Sequence, residues 1–149
     1  MKVTLHTDYA LRLLTFLLLS DQERVSTREI AETYDISLSH LNKVSQRLVQ
    51  LGLLDATRGR GGGVKLTQHA HSSPLGDLVR SLEPNTELAA CSGQGALEPC
   101  KLAPSCKLRA IFGEAAQAFY DHLNQFTLGD LVAANAQQMR GLLSLVTQA

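Results

Sequence analysis

The first pattern along the chain is apolar. YALRLLTFLLLS (Tyr9–Ser20) contains no Gly or Pro, and Arg12 is its one charge. Thr7 offers an oxygen for an N-cap and Asp8 a carboxylate for the positive helix end, so a buried helix is expected here. The run is far short of the ~20 residues needed to span a bilayer. Asp8, Arg12 and the SDQER that follows do not make a signal peptide, so a cytoplasmic protein is expected, with no membrane partner.

The next segment, VSTREIAETYDISLSHLNKVSQRLVQLGLL, changes register twice. Ser26 followed by Glu29 is a capping-box pattern that opens a short helix reaching Tyr34. Asp35-Ile36-Ser37 breaks it. Ser37 or Ser39 can cap a second helix, in which Leu38, Leu41, Val44, Leu48 and Leu51 recur at helical spacing, and Gly52 stops it. Two short helices joined by a tight turn predict a helix-turn-helix, whose second helix enters the major groove. With the apolar positions turned inward, Ser39, His40, Asn42, Lys43, Gln46 and Arg47 are left outward, with donors and acceptors for base edges and phosphates. A polar solvent face on a packed helix pair has the same pattern.

The periodicity then shortens. LLDATRGRGGGVKLT reads as a strand over Leu53–Thr57, a glycine-rich tip, and a strand over Val64–Thr67. Arg58, Arg60 and Lys65 surround the tip. A basic hairpin directly after a helix-turn-helix predicts a winged helix, its wing on the phosphates or in the minor groove. A nucleotide-binding loop is excluded, because GxxxxGK[ST] is absent and no helix follows the glycines.

PLGDLVRSLEP predicts one more helix, begun by Pro74 or Leu75 and stopped before Pro84. LRAIFGEAAQAFYDHLNQFTLGDLVAANAQ then reads as strongly helical, with Leu108, Ile111, Phe112, Ala115, Phe119, His122, Leu123 and Phe126 on one stripe. Such a stripe covers its own domain or packs on a twin, and the second suits a DNA-binder that needs two half-sites. Ile111, Phe112, Ala115, Phe119 and Leu123 are the candidate dimer interface. The expected fold is mainly α: a winged-helix DNA-binding domain over about residues 1–72, then about 73–149. The second part holds a cysteine loop near 89–107 and a long helical dimerisation region near 107–146.

Charge adds one local signal. The net formal charge is zero, so nothing global announces a nucleic acid. Yet residues 37–67 hold five basic side chains (Lys43, Arg47, Arg58, Arg60 and Lys65) against one acidic, Asp55. A phosphate backbone attracts that kind of patch.

The chemistry concentrates in CSGQGALEPCKLAPSC, which runs from Cys91 to Cys106 and holds all three cysteines at C-x8-C-x5-C spacing. Structural zinc favours a C-x2–4-C pair and a thioredoxin-like site needs C-x-x-C; neither is present. His69 and His71 lie nearby in sequence, but nothing ties them to a nucleophile. Without a secretion signal the thiols are expected to be reduced. An iron–sulfur cluster suits a Gly- and Pro-rich loop whose backbone N–H groups reach the sulfurs. On chemistry alone a cluster, zinc and a thiol switch all stay open. No paired carboxylates, triad or cofactor loop points to an enzyme.

Taken in order, LHTDYALRLLTFL, the helix-turn-helix, RGRGGGVKL, GDLVRSLEP, the three cysteines and FTLGDLV resemble the iron–sulfur winged-helix transcriptional repressors over roughly residues 1–135. The resemblance implies a homodimer on double-stranded operator DNA, with a cluster held by Cys91, Cys100 and Cys106. One branch, regulating cluster biogenesis, carries [2Fe–2S] on three cysteines and a histidine just after the third. Here KLRAIF follows Cys106, and the next histidine is His122. The match is closer to the nitric-oxide-sensing branch, which implies an oxygen-type fourth ligand at the start of the first helix, given by the other subunit. The matching residue is Asp8. That branch implies a [4Fe–4S] cluster, nitric oxide as the signal, and release of DNA on nitrosylation. A [2Fe–2S] sensor of iron–sulfur status or redox, or a thiol or zinc switch, is the alternative.

Overall fold

The computed structural model describes residues 3–59, 61–86, 88 and 100–145. Helix α1 spans Leu5–Leu19, with Ala10, Leu13, Leu14 and Phe16 fully buried. Its cap is Thr4, not Thr7. The Thr4 Oγ1 accepts from the Thr7 amide at 3.3 Å, and Thr7 itself lies inside the first turn, fully buried. The helix therefore begins one turn earlier than the polar-to-apolar boundary suggested.

Helix α2 (Thr27–Thr33) starts on Ser26, whose Oγ accepts from the Glu29 amide at 3.1 Å, the expected half of a capping box. Asp35 turns the chain at φ 51°, in the left-handed region that Asp tolerates better than most residues. Helix α3 follows over Leu38–Gln50, burying Leu41, Val44, Ser45 and Leu48 against α1 and α2. Strands β1 (Leu54–Thr57) and β2 (Gly63–Leu66) pair antiparallel, with Leu54 opposite Leu66 and Thr57 opposite Gly63.

This wing is tied to the body. Val25 exchanges both backbone hydrogen bonds with Val64, at 3.0 and 2.8 Å. That approach needs a glycine beside it: a Cβ on Gly63 would lie 2.6 Å from the Val25 carbonyl oxygen.

Helix α4 (Leu75–Leu82) lies across α5 (Lys107–Leu123). The long helical stretch expected at the C-terminal end is three helices, α5, α6 (Asp130–Ala133) and α7 (Ala136–Leu142). The reason is tertiary. The amide of Leu75 bonds the Phe126 carbonyl, while Leu128 and Gly129 bond the carbonyls of Ser73 and His71. Backbone groups that a continuous helix would have used are thus committed to the linker, and Leu128 is fully buried there. Helix α7 then returns to α1, where the Arg140 Nε donates to the Leu19 carbonyl at 2.7 Å and its Nη2 meets Asp21 at 3.0 Å. Among the described residues, no helix is long and apolar enough to cross a membrane.

The α4–α5 crossing depends on Gly76. A Cβ there would run into the Tyr120 carbonyl oxygen and lie 2.6 Å from the Asn124 Oδ1. That same Asn124 oxygen accepts from the Asp77 amide at 2.9 Å, and its Nδ2 donates to the Asp77 carboxylate at 3.0 Å. Gly76→Ala gains up to ~1 kcal/mol of helix propensity. It forces apart two backbones, an overpacking cost of about 1–3 kcal/mol. The clash is with backbone, so the cost wins: a net loss of about 1–2 kcal/mol is expected, read as a lower urea midpoint.

Candidate nucleic-acid interface and cysteine region

The six residues expected to face outward on α3 do so. Ser39, His40, Asn42, Lys43, Gln46 and Arg47 are all exposed, while Leu41, Val44 and Leu48 are at most 1% exposed. Three of the six already have partners. The Ser39 hydroxyl shares a hydrogen bond with that of Ser37 at 2.9 Å. Asn42 Oδ1 accepts from the Thr27 hydroxyl at 2.9 Å. Arg47 reaches past the face, its Nη2 donating to the Ser81 carbonyl in α4 at 2.9 Å. Ser37 heads the helix, but its side chain makes no capping bond.

Between α3 and the wing lies an open groove of about 700 Å³, whose lining includes Thr27, Asn42, Gln46, Thr57, Arg58 and Gly62. Arg58 is exposed at its rim. Lys65 is half-buried and pairs with Glu23 at 3.4 Å. Arg60 lies outside the described residues. Sequence reasoning missed Thr27 and Thr57 as groove residues. Their side chains follow no periodicity; only the docking of α2 and the wing on α3 brings them to one place.

Of the cysteines, Cys91 lies outside the described residues. Cys100 is exposed and Cys106 half-buried, and neither is in a disulfide. Cys106 is the N-cap of α5 and makes no side-chain cap bond, at a helix start whose first amides have no intrahelical partner. Asp8 sits in the first turn of α1, where its carboxylate holds the Arg12 Nε at 2.9 Å. Arg12 in turn lies over the Tyr34 ring, 5.9 Å from its centroid. Burial raises the Tyr34 phenol above its ordinary pKa, and the Arg12 charge partly offsets this. Among the described residues, no three His, Cys, Asp or Glu side chains converge on a metal-sized site. The donor set itself, free soft thiols near a helix start, is of the kind that takes an iron–sulfur cluster.

The end of α4 is tied to both α1 and α3. The Glu83 carboxylate, at the end of α4, accepts from the Thr4 amide at 2.9 Å and from its hydroxyl at 3.3 Å. Two residues earlier, Ser81 receives Arg47. Beyond the cysteines, Tyr120 is the one residue of α5 buried among those whose side chains are described. Ile111 and Ala115 are exposed, Phe112 and Phe119 half-buried, and Leu123 packs on this chain's own core.

A helix-turn-helix with a paired basic hairpin and a polar reading face defines a winged-helix transcriptional regulator. Comparison with known proteins agrees. The profile of the Rrf2 family, described as an iron-dependent transcriptional regulator, matches residues 3–134, and the chain belongs to that family. It is therefore a DNA-binding transcriptional regulator and not an enzyme. The HTH-type transcriptional regulator NsrR of Shouchella clausii is 37% identical over 148 residues, covering 99% of this chain and 98% of the relative. That of Oceanobacillus iheyensis is 39% identical over 146 residues, with 97% and 98% covered. The crystal structure of the oxidized form of Staphylococcus aureus CymR shares the fold at TM-score 0.67 and 26% identity, over 89% of this chain and 97% of that one.

Proposed function

We propose that this protein is a cytoplasmic, homodimeric repressor that leaves its double-stranded operator DNA when nitric oxide reaches an iron–sulfur cluster, [4Fe–4S] in type. The single observation that carries the DNA half is the exposed polar face of α3 beside the groove and its basic wing. The NsrR names of full-length relatives support the signal. The cluster would be held by Cys91, Cys100 and Cys106, with Asp8 of the partner subunit as fourth ligand, and when bound it supplies the iron that nitric oxide attacks. Residues 1–72 would read DNA and 73–149 would sense and pair, with Ile111, Phe112, Ala115, Phe119 and Leu123 of α5 meeting their twins.

This chain's own residues offer the coupling. Arg47 ties the reading helix to Ser81, and Glu83 ties the start of α1, with Asp8 one turn in, to the end of α4. Both ties meet at the end of α4, the helix that precedes the cysteine segment in the chain, so a rearrangement of that helix end bears on α1 and α3 together. The second reading is a thiol switch, favoured by the free, accessible Cys100 and Cys106.

The test is an anaerobic absorption spectrum of fresh protein before and after nitric oxide, with operator binding measured in parallel. One broad band near ~400 nm, bleached together with loss of DNA binding, is the expected result. Several resolved bands at longer wavelength would replace [4Fe–4S] by [2Fe–2S]. Colourless, iron-free protein from iron-replete anaerobic cells would leave the zinc or thiol switch. On the DNA side, Lys43→Ala is expected to weaken binding almost equally across sequences and to lower the salt slope by about 1. An unchanged slope would take Lys43 off the phosphates.

A further inference from the structure

We propose that Thr27, which lies outside the reading helix, determines which base edge Asn42 reads. The inference rests on α3 entering the major groove, as proposed above. Thr27 is the first residue of α2, and Ser26 already supplies that helix's cap oxygen, leaving the Thr27 hydroxyl free of capping. It donates instead to the Asn42 Oδ1 at 2.9 Å, and both residues line the groove. Ile30 and Ala31, buried on the same short helix, seat that helix in the core.

A carboxamide has an acceptor end and a donor end. Free of constraint, asparagine pairs with adenine in two bonds, its oxygen accepting from N6 and its nitrogen donating to N7. The Thr27 bond takes one of the oxygen's two lone pairs and fixes the amide's orientation, so the two Nδ2 donors are the groups left wholly open to a base. Two N–H donors are matched best by an edge that offers acceptors with no donor beside them, guanine N7 and O6 or thymine O4, whereas adenine sets its N6 donor next to N7. Thr27 thus biases a side chain suited to adenine toward reading as a donor. It is a positioning residue, touching Asn42 and not the base.

The experiment selects full-length wild-type protein, Thr27→Val, Thr27→Ser and Asn42→Ala against a randomised duplex library, then measures competition between duplexes differing at single base pairs. Wild type and Thr27→Ser are expected to share guanine or thymine at one position per half-site. Thr27→Val keeps the shape and loses the donor, so preference at that position should fall about tenfold and admit adenine. Its other positions and its salt slope should not change, and Asn42→Ala should lose the same preference. Thermal melts confirm that each variant is folded. If Thr27→Val keeps the wild-type preference, if it loses affinity uniformly with Thr27→Ser doing the same, or if wild type selects adenine at the Asn42-dependent position, the inference is overturned. Wild-type protein that enriches no sequence would overturn the DNA-reading proposal itself, and this inference with it.

Discussion

Cys106→Ala is expected to lose its iron and its response to nitric oxide while remaining folded. The two outcomes separate because of where the residue stands. Cys106 occupies the N-cap of α5 but makes no side-chain capping bond, and it lies outside the buried core. Its truncation therefore removes neither a cap nor a packed group, and a stability change within about 0.5 kcal/mol is expected. A proposed ligand has no such reserve: three thiolates are already one short of a four-ligand set, and losing another strips the cluster from most molecules. Iron and sulfide assays on anaerobically purified protein, with a melting curve, decide it. Wild-type iron content in the variant would remove Cys106 from the ligand set. Asp8→Ala is the milder companion. Its exposed pair with Arg12 is worth at most about 0.5 kcal/mol as a helical i,i+4 contact, so a change in cluster stability would come from ligation and not from unfolding.

The largest effect on stability is expected from Phe16→Ala, a loss of about 3–5 kcal/mol. Phe16 is fully buried, and its ring meets the edge of Tyr34 with centroids 6.2 Å apart. Tyr34 is the C-cap of α2, so this ring pair is part of what seats the helix-turn-helix on α1. Against a total of about 5–15 kcal/mol for an ordinary domain, the loss is a large share, and a fall in melting temperature of roughly 10 °C follows. Phe16→Leu keeps most of the volume and should cost less than about 1.5 kcal/mol. Urea titrations that show a lower midpoint with unchanged slope would confirm a pure stability loss. A wild-type midpoint in Phe16→Ala would mean the α1–α2 contact carries little of the fold.

Much of this was open to a reader of the chain. The spacing of Leu41, Val44 and Leu48 defines a buried face, and it necessarily turns His40, Lys43 and Gln46 outward, as the structure has them. Ser26 with Glu29 marks the start of α2 through a bond between near neighbours, so local pattern suffices. The wing strands fall within a residue of their expected bounds for the same reason. Errors gathered where the deciding partner is distant. Thr7 looked like the cap of α1, but Glu83 holds the amide of Thr4, 79 positions away in sequence, and the helix starts there. The stripe from Leu108 to Phe126 promised one long helix. The Phe126 carbonyl and the Leu128 and Gly129 amides instead bond the backbone between His71 and Leu75, which no periodicity records.

The sequence by itself determined the helix-turn-helix, the basic glycine-rich wing, the exposed reading face and the clustering of the cysteines. Each follows from preferences that act over one to four residues: side-chain period, capping and the freedom of glycine. Only the tertiary structure decided where Arg47 goes, that Thr27 holds the Asn42 oxygen, and that Gly76 must stay small against Tyr120. Those choices depend on which surfaces meet where α2 packs on α3, where α3 reaches α4 and where α4 crosses α5, and the partners are separated by 15 to 44 positions along the chain.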